Sequence, residues 1–202
     1  MKVLSIQNIL SMLLLNSDSY STLEPSFNKP AVLVFSGSKD INDFKKNINI
    51  VPRPWPPDNP HGTVHGGFAS KLEMLLDENR EIIQFIKDND SIVLAGHSLG
   101  GATSILLAST VPEKVRSVYT FGAPPLSSLE FKKYYRSVGL SSKTFRYTTP
   151  RDPVVNLIPI YHHIGNKILL PYESKSRLQH HDIETYQMLL EKMDMKNWVL
   201  YP

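Results

Sequence analysis

The chain of 202 residues contains no cysteine. That excludes disulfides, a thiolate nucleophile and a cysteine-ligated metal in one step, and it favours a cytoplasmic setting over secretion. Long apolar runs are missing as well. The most apolar stretch, residues 9–15, is broken by Ser11 and is too short to cross a bilayer. Gln7 and Asn8 precede it and no small-residue cleavage site follows. Residues 1–30 are therefore expected to be an N-terminal helical segment of the fold, not a secretory signal. Neither sign of charge dominates: 22 Lys and Arg against 19 Asp and Glu leave a net +3. The basic residues fall in short pairs such as Lys45-Lys46 and Lys132-Lys133, with no arginine-rich stripe or aromatic platform. This argues against a nucleic-acid partner and leaves transient contact with a lipid surface open.

What is present is an alternation. AVLVFS (31–36) reads as a buried strand ended by Gly37, and KDINDFKKNI (39–48) as a weakly amphipathic turn or two of helix with Ile41, Phe44 and Ile48 on one side. VPRPWPPDNPHG (51–62) carries five prolines and is expected to be loop. Residues 68–88 have the apolar spacing of one long helix. Thereafter SIVL, RSVYTF, KTFRYTT and NKILLPY read as strands, with helical patterns over 99–109, 126–138 and 181–193. Strands alternating with helices imply one domain over 1–202, built on a mostly parallel sheet covered on both faces.

Within that alternation, LAGHSLGGAT places Ser98 two residues from Gly96 and two from Gly100, at a strand-to-helix turn. This G-x-S-x-G pattern is a nucleophile elbow. The chain turns so sharply that side chains two positions either way would collide, and the serine hydroxyl is left raised at the strand's carboxyl end. A serine nucleophile needs a base, and the base needs an orienting acid. Asp152 in RYTTPRDPVV follows a strand, where a carboxylate at the sheet's rim is expected; Glu130 and Glu173 are its rivals. For the base, His181 opens the last helix, with His180 beside it as the alternative. His97 adjoins the serine, but neighbours at such a turn project apart. His61, His65, His162 and His163 do not follow a metal-ligand spacing, so no metal is expected. Asn89-Asp90-Ser91 is a glycosylation sequon.

Taken together these segments resemble the class 3 (fungal-type) triacylglycerol lipases. GHSLGGA is similar to their nucleophile motif, and VFSGSKDINDFKKNINIVP to their strand, oxyanion loop and lid. VHGGF resembles their H-x-G-F, YTFGAPP their T-F-G-x-P, RYTTPRDPVVNLIP their acid loop and HDIETY their closing H-D-x-x-x-Y. The resemblance implies a single-domain α/β-hydrolase fold and hydrolysis of lipid esters through an acyl-enzyme on Ser98, with Asp152 and His181 completing a triad and no cofactor. It implies an oxyanion hole from Ser38 and the N–H of Leu99, and a lid over 39–48 carrying Ile41, Phe44 and Ile48. Ser36, Asn47 and Pro125 depart from the family's arginine, aspartate and arginine. Phospholipase A1 and short-chain esterase activities use the same triad, and a non-catalytic lipase-like binding protein is the alternative of another class.

Overall fold

Uncharged apolar runs such as AVLVF and IVLA become inner strands of one six-stranded sheet in the computed structural model, which describes residues 9, 11–13, 20–24, 30–37 and 50–192. The described strands are β1 (Tyr20–Leu23), β2 (Ala31–Phe35), β3 (Pro52–Pro54), β4 (Thr63–His65), β5 (Ile92–His97), β6 (Val115–Phe121), β7 (Thr144–Thr148) and β8 (Asn166–Leu169). The described helices are α1 (Gly66–Glu78), α2 (Arg80–Asp88), α3 (Leu99–Thr110), α4 (Leu129–Ser137), α5 (Leu140–Lys143) and α6 (Ile183–Lys192). The large sheet has the order β1-β2-β5-β6-β7-β8, antiparallel between β1 and β2 and parallel thereafter. Parallel strands end at one edge, so the loops after β2, β5, β6 and β7 share a rim, where such sheets place their sites.

Both faces are covered, which is why β2 and β5 read as continuous hydrophobic runs rather than alternations. Leu33, Phe35 and Leu94 pack with Phe68 and Leu72 of α1 and Leu106 of α3. Val32, Val34 and Val93 turn the other way, onto Tyr186, Leu189 and Leu190 of α6. Helix α3 is buried from Gly100 to Ser109. Its hydroxyls at Thr103, Ser104 and Ser109 donate back to the carbonyls of Leu99, Gly100 and Leu106, so none is stranded in the core.

Three elements differ from expectation. The helix expected over 68–88 breaks at Asn79 (φ −130°, ψ 76°). There the backbone N–H and the side-chain amide both donate to the Leu75 carbonyl, the local competition that makes Asn a poor helix interior residue. The segment expected to be helical as far as residue 30 contains β1, where Tyr20, Ser21 and Thr22 pair against β2. The proline-rich stretch contains β3, paired with β4 in a separate two-stranded sheet, where proline is tolerated at an edge. Trp55 then buries its ring and donates its indole N–H to Ser109 Oγ at 2.9 Å.

The sequon is occluded. Asn89 is 6% exposed and its side-chain amide donates to the Phe85 carbonyl at 2.8 Å, closing α2. Routed through a eukaryotic secretory pathway, the folded chain is expected to carry no glycan at Asn89 by intact mass; a glycan there contradicts this packing.

Three histidines couple the fold to pH: buried His65, half-buried His163, and His97, which burial and then His181 push to about 3. His65 stacks on Phe68 with ring centroids 3.9 Å apart, and among the described residues neither ring nitrogen has a hydrogen-bond partner. Burial pushes its pKa from 6.5 to about 4. His163, which donates Nε2–H to the Val155 carbonyl at 2.7 Å, is pushed to about 4 by burial and then by Arg146. As pH falls from 6.5 towards 4 the unfolded chain takes up protons that the native state refuses, so stability falls across that window, and His97 extends the fall towards pH 3. The Tm is expected to drop from pH 7 to pH 4.5, and His65→Phe to flatten part of the drop. An unchanged slope in that variant contradicts the assignment.

Candidate active site

The turn from β5 into α3 puts Ser98 in a conformation that L-residues avoid: φ 55°, ψ −124°. Among the described residues it alone has a positive φ without being glycine. Such a residue costs about 1–3 kcal/mol and persists only where its surroundings dictate it. Here the Ser98 N–H donates to the Phe121 carbonyl at 2.9 Å, and the Gly101 N–H donates to the Ser98 carbonyl at 3.0 Å. The flanking glycines are required by contact. A Cβ on Gly96 would lie 2.2 Å from the Gly100 carbonyl, and one on Gly100 would lie 2.1 Å from the Phe35 oxygen. The exit of β2 also touches the serine, since a Cβ on Gly37 would stand 2.9 Å from Ser98 Cβ.

The carboxylate and the imidazole come from two other parts of the rim. Asp152 is 2% exposed in the loop after β7 and accepts three donors. The Val154 N–H reaches Oδ1 at 2.8 Å, the Tyr186 hydroxyl reaches Oδ2 at 2.7 Å, and His181 Nδ1–H lies 2.9 Å from both oxygens. His181 itself is 2% exposed, just before α6. Among the described residues its Nε2 has no hydrogen-bond partner. Nδ1 is therefore committed to the carboxylate and Nε2 is the nitrogen left to exchange a proton.

The alternatives stand elsewhere. His180 is engaged with Thr149, whose hydroxyl donates to the His180 carbonyl at 2.6 Å and lies 3.2 Å from Nδ1. Glu130 and Glu173 are exposed. His97 turns from the serine and donates Nε2–H to the His181 carbonyl at 2.7 Å. Leu99 opens α3, so its N–H belongs to the first turn, where helical N–H groups have no intrahelical acceptor. Ser38, the lid 39–48 and its Ile41, Phe44 and Ile48 lie outside the described residues. Among the described residues no group of three or more His, Asp or Glu is placed to hold a metal, and no helix is long and apolar enough to cross a membrane.

Two residues of this site received no role in the sequence reading. Tyr186, five positions after His181, lies on the buried side of α6 and donates to Asp152. Burial and the carboxylate hold its hydroxyl well above the ordinary range, keeping it a donor. Gly122 (φ 60°) follows β6 and donates its N–H to the Tyr147 carbonyl; a Cβ there would lie 2.6 Å from Asp152 Oδ2 and 2.9 Å from His181 Nδ1. The dyad thus packs directly onto bare backbone. The quoted motifs YTFGAPP and HDIETY contain both residues, and the period of α6 was the available signal for Tyr186.

Comparison with known proteins agrees with this architecture. A family model described as Lipase (class 3) matches residues 32–162. A lipase of Rhizomucor miehei is 28% identical over 168 residues, covering 75% of this chain and 44% of that protein. A phospholipase A1 of Oryza sativa subsp. indica, named as chloroplastic and mitochondrial, is 28% identical over 158 residues, covering 65% and 36%. A protein of Penicillium cyclopium named as a secreted mono- and diacylglycerol lipase is 28% identical over 141 residues, covering 64% and 43%. The solved structure of a triacylglycerol lipase, titled for a serine-protease triad at its catalytic centre, superposes with a TM-score of 0.60 at 26% identity, covering 70% of this chain and 57% of that one. The fold is that of an α/β-hydrolase, and the chain spans under half the length of these sequence relatives. Relatives named as secreted or chloroplastic overturn the cytoplasmic expectation. A chain without cysteine has no disulfide to lose, so that absence is compatible with either redox setting.

Gly122→Ala is expected to lower the Tm by several degrees, because the strain of a positive φ adds to a collision with the dyad. Gly139→Ala, with φ 78° but nothing within 4 Å of its Cβ, is expected to cost less. Equal losses contradict the reading of Gly122 as the floor of the dyad.

Proposed function

The chain belongs to the class 3 lipase family, and from that premise we propose that it is a serine hydrolase of carboxylic esters in lipids, with Ser98 as nucleophile, His181 as general base and Asp152 as orienting acid. The observation that carries the reading is the buried His181–Asp152 pair at 2.9 Å with Nε2 left unpartnered among the described residues, beside a serine held in a strained turn. Ser98 Oγ attacks the ester carbonyl while His181 Nε2 takes its proton. Asp152 accepts from Nδ1–H throughout and stabilises the imidazolium. The tetrahedral oxyanion is received by the N–H of Leu99 and by Ser38, and loss of one such donor costs about 10²–10³ in rate. The imidazolium then returns the proton to the departing alcohol, leaving an acyl-enzyme. Water, deprotonated by His181, releases the acid and restores Ser98. None of these steps calls for a cofactor. Residues 39–48 are the segment proposed to cover the site.

A groove beside the acid loop favours one variant of this reading. Arg151, Tyr172, Glu173, Ser174 and Lys175 line it, and Arg151 donates to the Ser174 carbonyl at 3.2 Å. Two cations against one carboxylate suit an anionic headgroup, which points to phospholipids among the ester substrates.

The test is hydrolysis of p-nitrophenyl esters from C2 to C16, and of anionic against zwitterionic phospholipid vesicles, by wild type and Ser98→Ala. Wild type is expected to turn over at least one ester, and removal of the nucleophile to cost about 10⁶, as in a comparable triad. A preference for anionic vesicles supports the phospholipase variant. Wild type and Ser98→Ala equally inert on every substrate would move the binding-protein reading into first place.

A further inference from the structure

His97, the residue between Gly96 and the serine, is half-buried and makes no use of its position for the chemistry described above. Instead its ring is wedged between three parts of the site. Its Nε2–H donates to the main-chain carbonyl of His181 at 2.7 Å. Its ring lies against the His181 ring, with centroids 4.7 Å apart at 36°, and meets the Tyr186 ring edge-on at 6.2 Å. On its third side, a Cβ on Gly37 at the β2 exit would stand 3.3 Å from its Nδ1.

Resting on the ester-hydrolase reading, we propose that His97 is a positioning residue that sets the placement of His181 relative to Ser98. The geometry makes the link short. His97 is covalently next to the nucleophile and hydrogen-bonded to the backbone of the base. One peptide unit and one hydrogen bond therefore connect two groups that are 83 positions apart in the chain. Asp152 fixes the Nδ1 end of His181; His97 fixes the carbonyl and covers one face of the ring. Without the second constraint the imidazole could swing about the carboxylate while keeping its 2.9 Å bonds, and the position of Nε2 relative to Ser98 would no longer be set. Burial, and then the nearby His181, push the His97 pKa to about 3, so it stays a neutral donor and no second cation opposes the imidazolium that forms on His181 during turnover.

His97→Gln keeps an N–H at roughly the reach of Nε2, and His97→Phe keeps the ring without the donor. Each is measured for kcat and KM on the preferred ester, for Tm, and for the downfield ring-proton resonance of His181 Nδ1–H, which needs no substrate. His97→Phe is expected to lose about 10² in kcat with KM near wild type, the scale of an ångström of misplacement. Its His181 resonance is expected to broaden or vanish, while His97→Gln retains the signal and most of the rate. Should His97→Phe fail to fold, His97→Asn replaces it, since its amide is one methylene too short to reach the carbonyl. Wild-type kcat together with an unchanged resonance in the donor-less variant overturns the proposal, as does His97→Gln proving as slow as that variant. Wild type inert on every ester, with a resonance that the donor-less variant abolishes, overturns the hydrolase reading and leaves the positioning role standing.

Discussion

The strained turn at Ser98 is the constraint on which the rest of the site depends. A serine at φ 55° is held there by what surrounds it: a hydrogen bond to the neighbouring strand β6, a helix that starts one residue later, and backbone from β2 pressed against Gly100. None of these tolerates a Cβ at positions 96 or 100. The strain is offset by the burial of α3 and the two central strands, and the return is a hydroxyl displayed where β2, β5 and β6 all end.

Around that point the chemistry is assembled from distant pieces of sequence by the parallel sheet. Asp152 arrives from the end of β7 and His181 from the approach to α6, and both lie nearly out of water. A carboxylate so buried needs donors, and it has three, from Val154, Tyr186 and His181. Gly122 gives the pair a floor of bare backbone, and His97 joins His181 to the strand that leads into Ser98. Each support acts on the placement of the His181 ring, whose Nε2 is left without a hydrogen-bond partner among the described residues.

Much of this was legible beforehand because it is local. G-x-S-x-G between a β-rich run and a helical one states its own turn, and a carboxylate just after a strand states its place on the rim. The choice of His181 over His180 was narrower. Adjacent residues at a helix entrance point apart, and only the fold turns one to Asp152 and the other to Thr149. What was missed depends on contacts between segments. Tyr186 looks like any buried aromatic until the acid loop is packed on α6, and Gly122 like any turn glycine until the dyad lies over it. The break at Asn79 and the strands β1 and β3 were missed for the opposite reason: short local signals there were outweighed by the patterns around them.

The strained turn and the buried pair together are proposed to make Ser98 a reactive nucleophile. The measurement that bears on it most directly is treatment with a p-nitrophenyl alkylphosphonate, followed by intact mass and peptide mapping. One adduct per chain is expected, located on Ser98, together with stoichiometric release of p-nitrophenolate. A folded chain that takes up no phosphonate, or carries it on another residue, contradicts it.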